Sequence, residues 1–290
     1  MGRFLNVLAI VAGLIATKAH AIDIPPAGFA PMPAGTKMAL FYYQSIEAKS
    51  FHLDGAGSVP ASRLAMDVGI ARYVQYGDLA NGMRYGLNAY LTFGARPKVE
   101  IGGTKQEASG GLGDAVFAAT LFPVAKNWGE GKGLNLATSV FLTLPVGKAA
   151  LNKVTIAGPS EQITPQIGVE WGLGSGWYVD AATDVTFTRN YRQNGVSFSR
   201  DPSYQTQVLL RHQFSPTTAV AGGISSHTGG KLFANGAYTG QKTRKDQLRL
   251  FASTFINPTT QLQGMIARDL HVVGGFKSST EVQLRLARLF

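Results

Sequence analysis

Ten ionisable residues carry the chemistry this sequence could do: Asp67, Arg84, Asp114, Glu170, Asp180, Asp184, Arg211, Arg249, Asp269 and Arg285. Each sits in a segment where apolar and polar residues alternate, and each is read as facing inward if those segments close around a lumen. Two chemistries follow. Arginines converging on a narrow passage bind carboxylates bidentately or set a charge filter. Arg249 and Arg285, near mid-height of their segments, are the candidates for a carboxylate-binding pair. Interspersed acids and bases can instead neutralise one another in a cross-strand lattice that fills a small lumen. The interspersion favours the lattice.

Catalysis finds less support. Ser226-His227 is the one Ser/His neighbour pair, but a hydrolase also needs a group that orients the base and an oxyanion hole. No ordered Ser/His/Asn signature surrounds it. His52, His212 and His271 stand alone, without metal-ligand spacing. Gly110-Gly111-Leu112-Gly113 reads as turn glycines opening a strand, because no helix follows to make a phosphate loop. The expectation is a protein that is not an enzyme, with no cofactor and no metal.

Twelve segments of strand character would have to position these residues. They are Thr36–Glu47, Ser62–Tyr76, Met83–Gly94, Leu112–Pro123, Leu134–Leu144, Glu161–Leu173, Gly176–Arg189, Ser203–Phe214, Thr218–His227, Arg244–Ile256, Thr259–Leu270 and Thr280–Phe290. Each has about the ten residues that a tilted strand needs to cross a bilayer. The faces separate most clearly in the middle of the chain. Trp177, Val179, Ala181, Val185 and Phe187 oppose Tyr178, Asp180, Asp184 and Thr186. Tyr204, Val208, Leu210 and Phe214 oppose Gln205, Gln207, Arg211 and Gln213. Such a strand has one face in oil and one in water. In the fourth segment Val116 and Phe122 oppose Phe117 and Leu121, so that strand borders an apolar part of the lumen.

The connections alternate in length. Gly77–Gly82, Gly174-Ser175, Ser215-Pro216 and Asn257-Pro258 are short, and Ala125–Gly133 is intermediate. Ala48–Ala61, Ala95–Gly111, Pro145–Ser160, Asn190–Pro202, Gly229–Thr243 and His271–Ser279 are long. Short turns at one end and long loops at the other describe an outer-membrane barrel with periplasmic turns and outer loops. Twelve strands return the C-terminus to the periplasmic side. The fold class is therefore all-β: a closed antiparallel transmembrane β-barrel over residues 36–290.

Both termini agree. Arg3, the apolar run Phe4–Ala16 and the small-x-small site Ala19-His20-Ala21 read as a secretory signal peptide, residues 1–21. The last strand, with Val282, Leu284, Leu286 and Phe290 on one parity, resembles the assembly signal of outer-membrane barrels. The chain has no cysteine, so a hydrogen-bonded framework rather than disulfides must hold it. The formal net charge is +10, +8 without Arg3 and Lys18 of the signal peptide, and many of the cations map to outer loops, where the nearest phosphates belong to lipopolysaccharide. No module for nucleic acid is present. Expected partners are outer-membrane lipid and lipopolysaccharide, the barrel-assembly machinery acting on the strand that ends at Phe290, and a hydrophobic or aromatic small molecule. Expected localisation is the outer membrane of a Gram-negative bacterium.

Several short pieces, in order, resemble the outer-membrane transporter family labelled for the MetA-pathway (meta-pathway) of phenol degradation. They are Pro33-Ala34-Gly35-Thr36, Gly110-Gly111-Leu112-Gly113-Asp114, Thr228-Gly229-Gly230 with Asn235-Gly236, Ala267-Arg268-Asp269-Leu270, Gly275-Phe276, and Leu284-Arg285 through Phe290. The resemblance implies passage of hydrophobic or aromatic compounds across the outer membrane; it supplies no site residues.

The function expected is a channel for such compounds, with passive uptake through a partly plugged barrel. A general diffusion porin and a non-conducting structural or adhesive barrel are the alternatives. Phe41, Tyr43, Tyr90, Phe141 and Phe251, read as lumen residues, favour the selective channel. The leader, residues 22–35, carries Pro25, Pro26, Pro31 and Pro33 and cannot be a central strand. It is either a short plug or a loose periplasmic tail, the tail being favoured because termini are usually loose.

Overall fold

A computed structural model describes residues 23–150 and 153–290; the signal-peptide reading lies outside them. Twelve long strands form the wall: β1 Lys37–Leu53, β2 Arg63–Asp78, β3 Arg84–Gly94, β4 Gly111–Gly129, β5 Lys132–Leu144, β6 Gln162–Gly174, β7 Trp177–Thr188, β8 Ser203–Gln213, β9 Thr218–Gly229, β10 Arg244–Asn257, β11 Thr260–Val273 and β12 Gly275–Leu289. Each pairs antiparallel with its neighbour in sequence, and β1 pairs with both β2 and β12, so the sheet closes without an edge.

The wall is inverted relative to a soluble protein. Leu87, Phe117, Leu142, Ile167, Val208, Leu250, Ile266 and Leu284 all point outward and are exposed. A soluble monomer rarely shows a contiguous apolar patch larger than roughly 300–600 Å², and this belt runs around the whole barrel. Lipid is the solvent that makes it stable. Trp171, Trp177 and Phe214 sit outward at the short-turn end and Tyr204 outward at the long-loop end, the positions of aromatic girdles.

Three boundaries differ from the sequence expectation. β4 continues to Gly129, leaving only Glu130-Gly131 as a tight turn with both residues at positive φ. β11 and β12 meet at Gly274, so the long loop expected over His271–Ser279 is a hairpin. β1 runs on to Leu53. In each case strands extend past the apolar belt. There neither face meets lipid, and the alternation that marks a membrane strand disappears.

Pro165 lies within the wall, where a missing N–H is normally avoided. Pairing between β6 and β7 is interrupted there, between Ile163↔Phe187 and Gln166↔Asp184, with the register kept on both sides. On the lumen side the Thr164 and Thr186 hydroxyls bond at 2.9 Å across the interruption.

The long loops build small sheets over the outer mouth. Lys98–Ile101 pairs with Arg63–Ala65 of β2. Val154-Thr155 runs parallel to Ala108-Ser109. Tyr191–Gln193, Val196–Arg200, Leu232–Ala234 and Ala237-Tyr238 form a separate four-stranded sheet. Phe51, Leu64, Val99, Ile101, Val154 and Phe276 bury an apolar cluster at this mouth.

Candidate functional site: the lumen and its leader

The lumen has two chemically different halves. On β1 to β5, Leu40, Tyr42, Val74, Tyr76, Ala118, Phe122, Ala137 and Phe141 make an apolar wall. On β6 to β12, buried amides, carboxylates and guanidiniums line most of the inward face, interrupted by a small apolar cluster of Leu209, Ala221, Phe251, Met265 and Ala267.

The charged half is a neutralised lattice. Arg211 meets Glu170 at 2.6 Å and Asp180 at 2.9 Å, and its guanidinium lies 4.0 Å over the Tyr178 ring. Asn135 donates to the other Glu170 oxygen at 2.9 Å. Asp184 accepts from Gln166 at 3.1 Å. Asp269 accepts from Lys245, Gln247 and the Ser278 backbone N–H. Asp114 lies at the outer end, where both carboxylate oxygens accept from the Gly158 N–H at 3.0 Å and tether an outer loop. Arg84 lies at the periplasmic end, paired with Asp78.

Arg249 and Arg285 do not act as a pair. Arg249 is bound to Asp23 of the leader, at 2.7 Å, and to Gln247 and Gln207. Arg285 instead shares the surroundings of Tyr42 and Arg72. Asp67 corrects the sequence expectation outright. It faces outward and accepts from the Tyr43 hydroxyl at 2.9 Å. Phe41 and Tyr43 are also outward and exposed, whereas Tyr90, Phe141 and Phe251 face the lumen.

The cause is a reversed pattern in β1 and β2. Leu64, Met66, Val68, Ile70, Val74 and Tyr76 share the inward face with Arg72, while the smaller Ala65, Gly69 and Ala71 face lipid with Asp67. The rule that polar residues face the lumen fails where the lumen itself is packed with apolar groups. Arg72 was hidden for this reason. Glu281, on the polar parity of the last strand, also belongs to the lattice and accepts from Gln247 at 3.0 Å.

The apolar filler is the leader. Ile24 and Phe29 are buried against the β1–β5 wall, with Met32 packed on the same cluster. The Phe29 ring lies so close to Gly168 on β6 that any Cβ there would overlap it. At the periplasmic end the Gly35 N–H donates to the Tyr76 carbonyl at 2.9 Å, and Arg84 donates to the Met32 carbonyl. Deeper in, Gln205 donates to Asp23 at 2.7 Å, Gln207 donates to the Ile24 carbonyl, and Arg249 closes on the Asp23 carboxylate. Residues 23–35 thus cross the lumen from the β2–β3 side to the β8–β10 side, against both halves.

Ser226 and His227 do not pair with each other. Ser226 bonds Asp246 at 2.6 Å, and it is Ser225, with no exposed surface, that faces His227 at 3.1 Å.

The family described as "Putative MetA-pathway of phenol degradation" matches residues 50–285 of the chain. A crystal structure of an outer-membrane channel from Pseudomonas putida F1 is 25% identical, with a TM-score of 0.83, covering 92% of this chain and 100% of that one. The β domain of the Bordetella autotransporter BrkA is 10% identical, with a TM-score of 0.53, covering 89% of this chain and 100% of that one; it shares the fold alone. No curated protein sequence matches.

Proposed function

This chain belongs to the MetA-pathway of phenol degradation family, and from that premise we propose that it is an outer-membrane channel for hydrophobic or aromatic small molecules, taken up passively through a partly plugged barrel. One observation carries the reading: an apolar half-lumen packed against an inserted leader. A general diffusion porin needs a lumen filled with water. Here Leu40, Tyr76, Phe122 and Phe141 offer a surface that water does not wet and that an aromatic ring would.

Transport is downhill in this scheme. The outer leaflet resists apolar solutes, and a water-filled pore does not attract them. A solute captured at the outer mouth would exchange contacts with leader side chains for contacts with the wall, then leave toward the periplasm. No covalent step is needed. The similarity to an outer-membrane channel and the burial of Ser225 support a non-enzymatic role. The apolar belt supports contact with membrane lipid, and the basic outer loops suit lipopolysaccharide phosphates. The final strand, ending at Phe290, is proposed as the element read by the barrel-assembly machinery.

The test is permeation. Liposomes carrying the refolded protein should admit toluene, or a phenol of similar size, faster than empty liposomes, and should leave sugars of like mass excluded. Equal admission of sugars would make it a diffusion porin.

A further inference from the structure

We propose that Arg72 and Arg285, together with the Tyr42 hydroxyl, form a binding site for the carboxylate of an aromatic acid in the periplasmic half of the lumen. This rests on the reading of the barrel as a channel for aromatic compounds, and it narrows the substrate class to one that carries a negative charge.

The three residues come from adjacent strands. Tyr42 on β1 stands opposite Arg285 on β12, and Arg72 lies on β2, which flanks β1 on the other side. Arg72 Nη1 donates to the Tyr42 hydroxyl at 3.2 Å, and Arg285 is the cross-strand partner of Tyr42 on its other side. Two guanidiniums therefore flank one phenol.

Every other arginine of the lumen wall described above has an acid beside it: Arg84 has Asp78, Arg211 has Glu170 and Asp180, and Arg249 has Asp23. Among the described residues, no carboxylate comes within 4.0 Å of Arg72 or Arg285. Their polar neighbours are amides. Asn88 accepts from Arg72 at 2.6 and 3.1 Å, and Gln261 accepts from Arg285. These amides aim the guanidiniums without discharging them. Two like charges near each other, largely out of bulk water, are costly unless an anion joins them. Arg285 is 7% exposed, and its Nε is buried without a hydrogen-bond partner. A donor left unmade in this way is the position a ligand oxygen would fill. Arg72 is half-buried.

The surroundings choose the rest of the ligand. The Arg72 guanidinium lies 4.7 Å over the Tyr90 ring, and Tyr42, Tyr76 and Phe122 continue the apolar wall. A planar carboxylate matches the forked guanidinium geometry, and an aromatic body matches the wall. A neutral hydrocarbon leaves both charges unanswered, and a small inorganic anion leaves the wall unused. Ile24, Phe29 and Met32 of the leader pack on this same cluster, so filling the site and seating the leader are coupled.

The probe is benzoate, with benzyl alcohol as its neutral counterpart, titrated calorimetrically into the full-length refolded barrel. The wild type should bind benzoate saturably and benzyl alcohol far more weakly. R72Q and R285Q should each lose benzoate affinity by roughly tenfold or more, the scale of a lost charge-assisted hydrogen bond. Arg189→Gln, which removes a positive charge at the outer rim, should bind as the wild type does. Heat-modifiable gel migration checks folding. If the glutamine variants do not fold, R72K and R285K keep the charge but lose the fork, and a several-fold weakening is expected. Equal binding of benzoate and benzyl alcohol would overturn the proposal, as would undiminished benzoate binding by the arginine variants. Calorimetry needs no conduction, so failure of the channel reading in liposomes and failure of this site are separately visible.

Discussion

Asp23 and Arg249 are 226 residues apart in sequence, yet the Arg249 guanidinium holds the Asp23 carboxylate at 2.7 and 2.9 Å inside the barrel. Gln205 donates to the same carboxylate at 2.7 Å. This is the deepest described fastening of the leader. The Asp23 side chain keeps 47% of its surface open while that of Arg249 keeps 2%, so the two ends of the pair contribute unequally.

Removing one end should therefore loosen the leader without unfolding the wall. Asp23→Asn keeps the hydrogen-bond acceptor but not the charge. Because the aspartate is half open, the loss expected is about 1–2 kcal/mol, below the 3–5 kcal/mol of a fully buried pair. In single-channel records, closed intervals should shorten by roughly tenfold. Unchanged intervals would mean that Asp23 does not hold the leader.

Gly168→Val should act on the leader from the opposite wall. The added side chain needs the space of the Phe29 ring, so Phe29 must leave. Open-channel current should rise to the level seen with Phe29→Ala. Combining the two substitutions should add little, because residues in direct contact are not independent. Additive effects would show that the ring and the glycine are not coupled.

Arg211→Gln should be the damaging arginine substitution. It strands Glu170 and Asp180, both buried, without their shared cation. Breaking a buried pair from one side costs about 3–5 kcal/mol. Arg72→Gln strands no acid and should cost far less. Urea unfolding followed by tryptophan fluorescence compares the two; similar midpoints would contradict the lattice.

Acid should loosen an outer loop before it touches the wall. Lys242 pairs with the Asp54 carboxylate at 2.9 Å, and the Tyr238 hydroxyl donates to it at 3.0 Å. Hydrogen bonding to Lys242, against a smaller opposing effect of burial, holds this carboxyl below its ordinary value. A depressed carboxyl contributes stability above its unfolded pKa and loses it as pH falls through the folded value. Hydrogen exchange near 238–242 should thus be constant from pH 7 down to the ordinary carboxylate range, after correction for intrinsic rates, and rise below it. A rise near neutrality would point to another group.

Much of the barrel was legible because lipid and lumen impose period-two patterning. β6, β7 and β8 separate cleanly, and Glu170, Asp180, Asp184 and Arg211 face inward as their parity requires. The pattern misled on β1 and β2, where Tyr42 and Tyr43 offer no contrast between faces and the bulkier set turns toward the leader. Asp67 and Arg72 then exchange sides. The hairpin at Gly274 was hidden because His271, Lys277 and Ser278 stand beyond the apolar belt, where strands carry no membrane signature. The course of the leader depends on contacts such as Phe29 on Gly168, made between residues far apart in sequence, and local composition holds no record of them.

The decisive measurement is the conductance of the refolded barrel in a planar bilayer, with and without residues 22–35. A plugged channel gives small, interrupted currents in the full-length protein, reduced further by an aromatic solute, and a large steady conductance once the leader is removed. A large ohmic conductance in the full-length protein, unchanged by the deletion and indifferent to aromatic solutes, would contradict the plugged barrel and leave a diffusion porin.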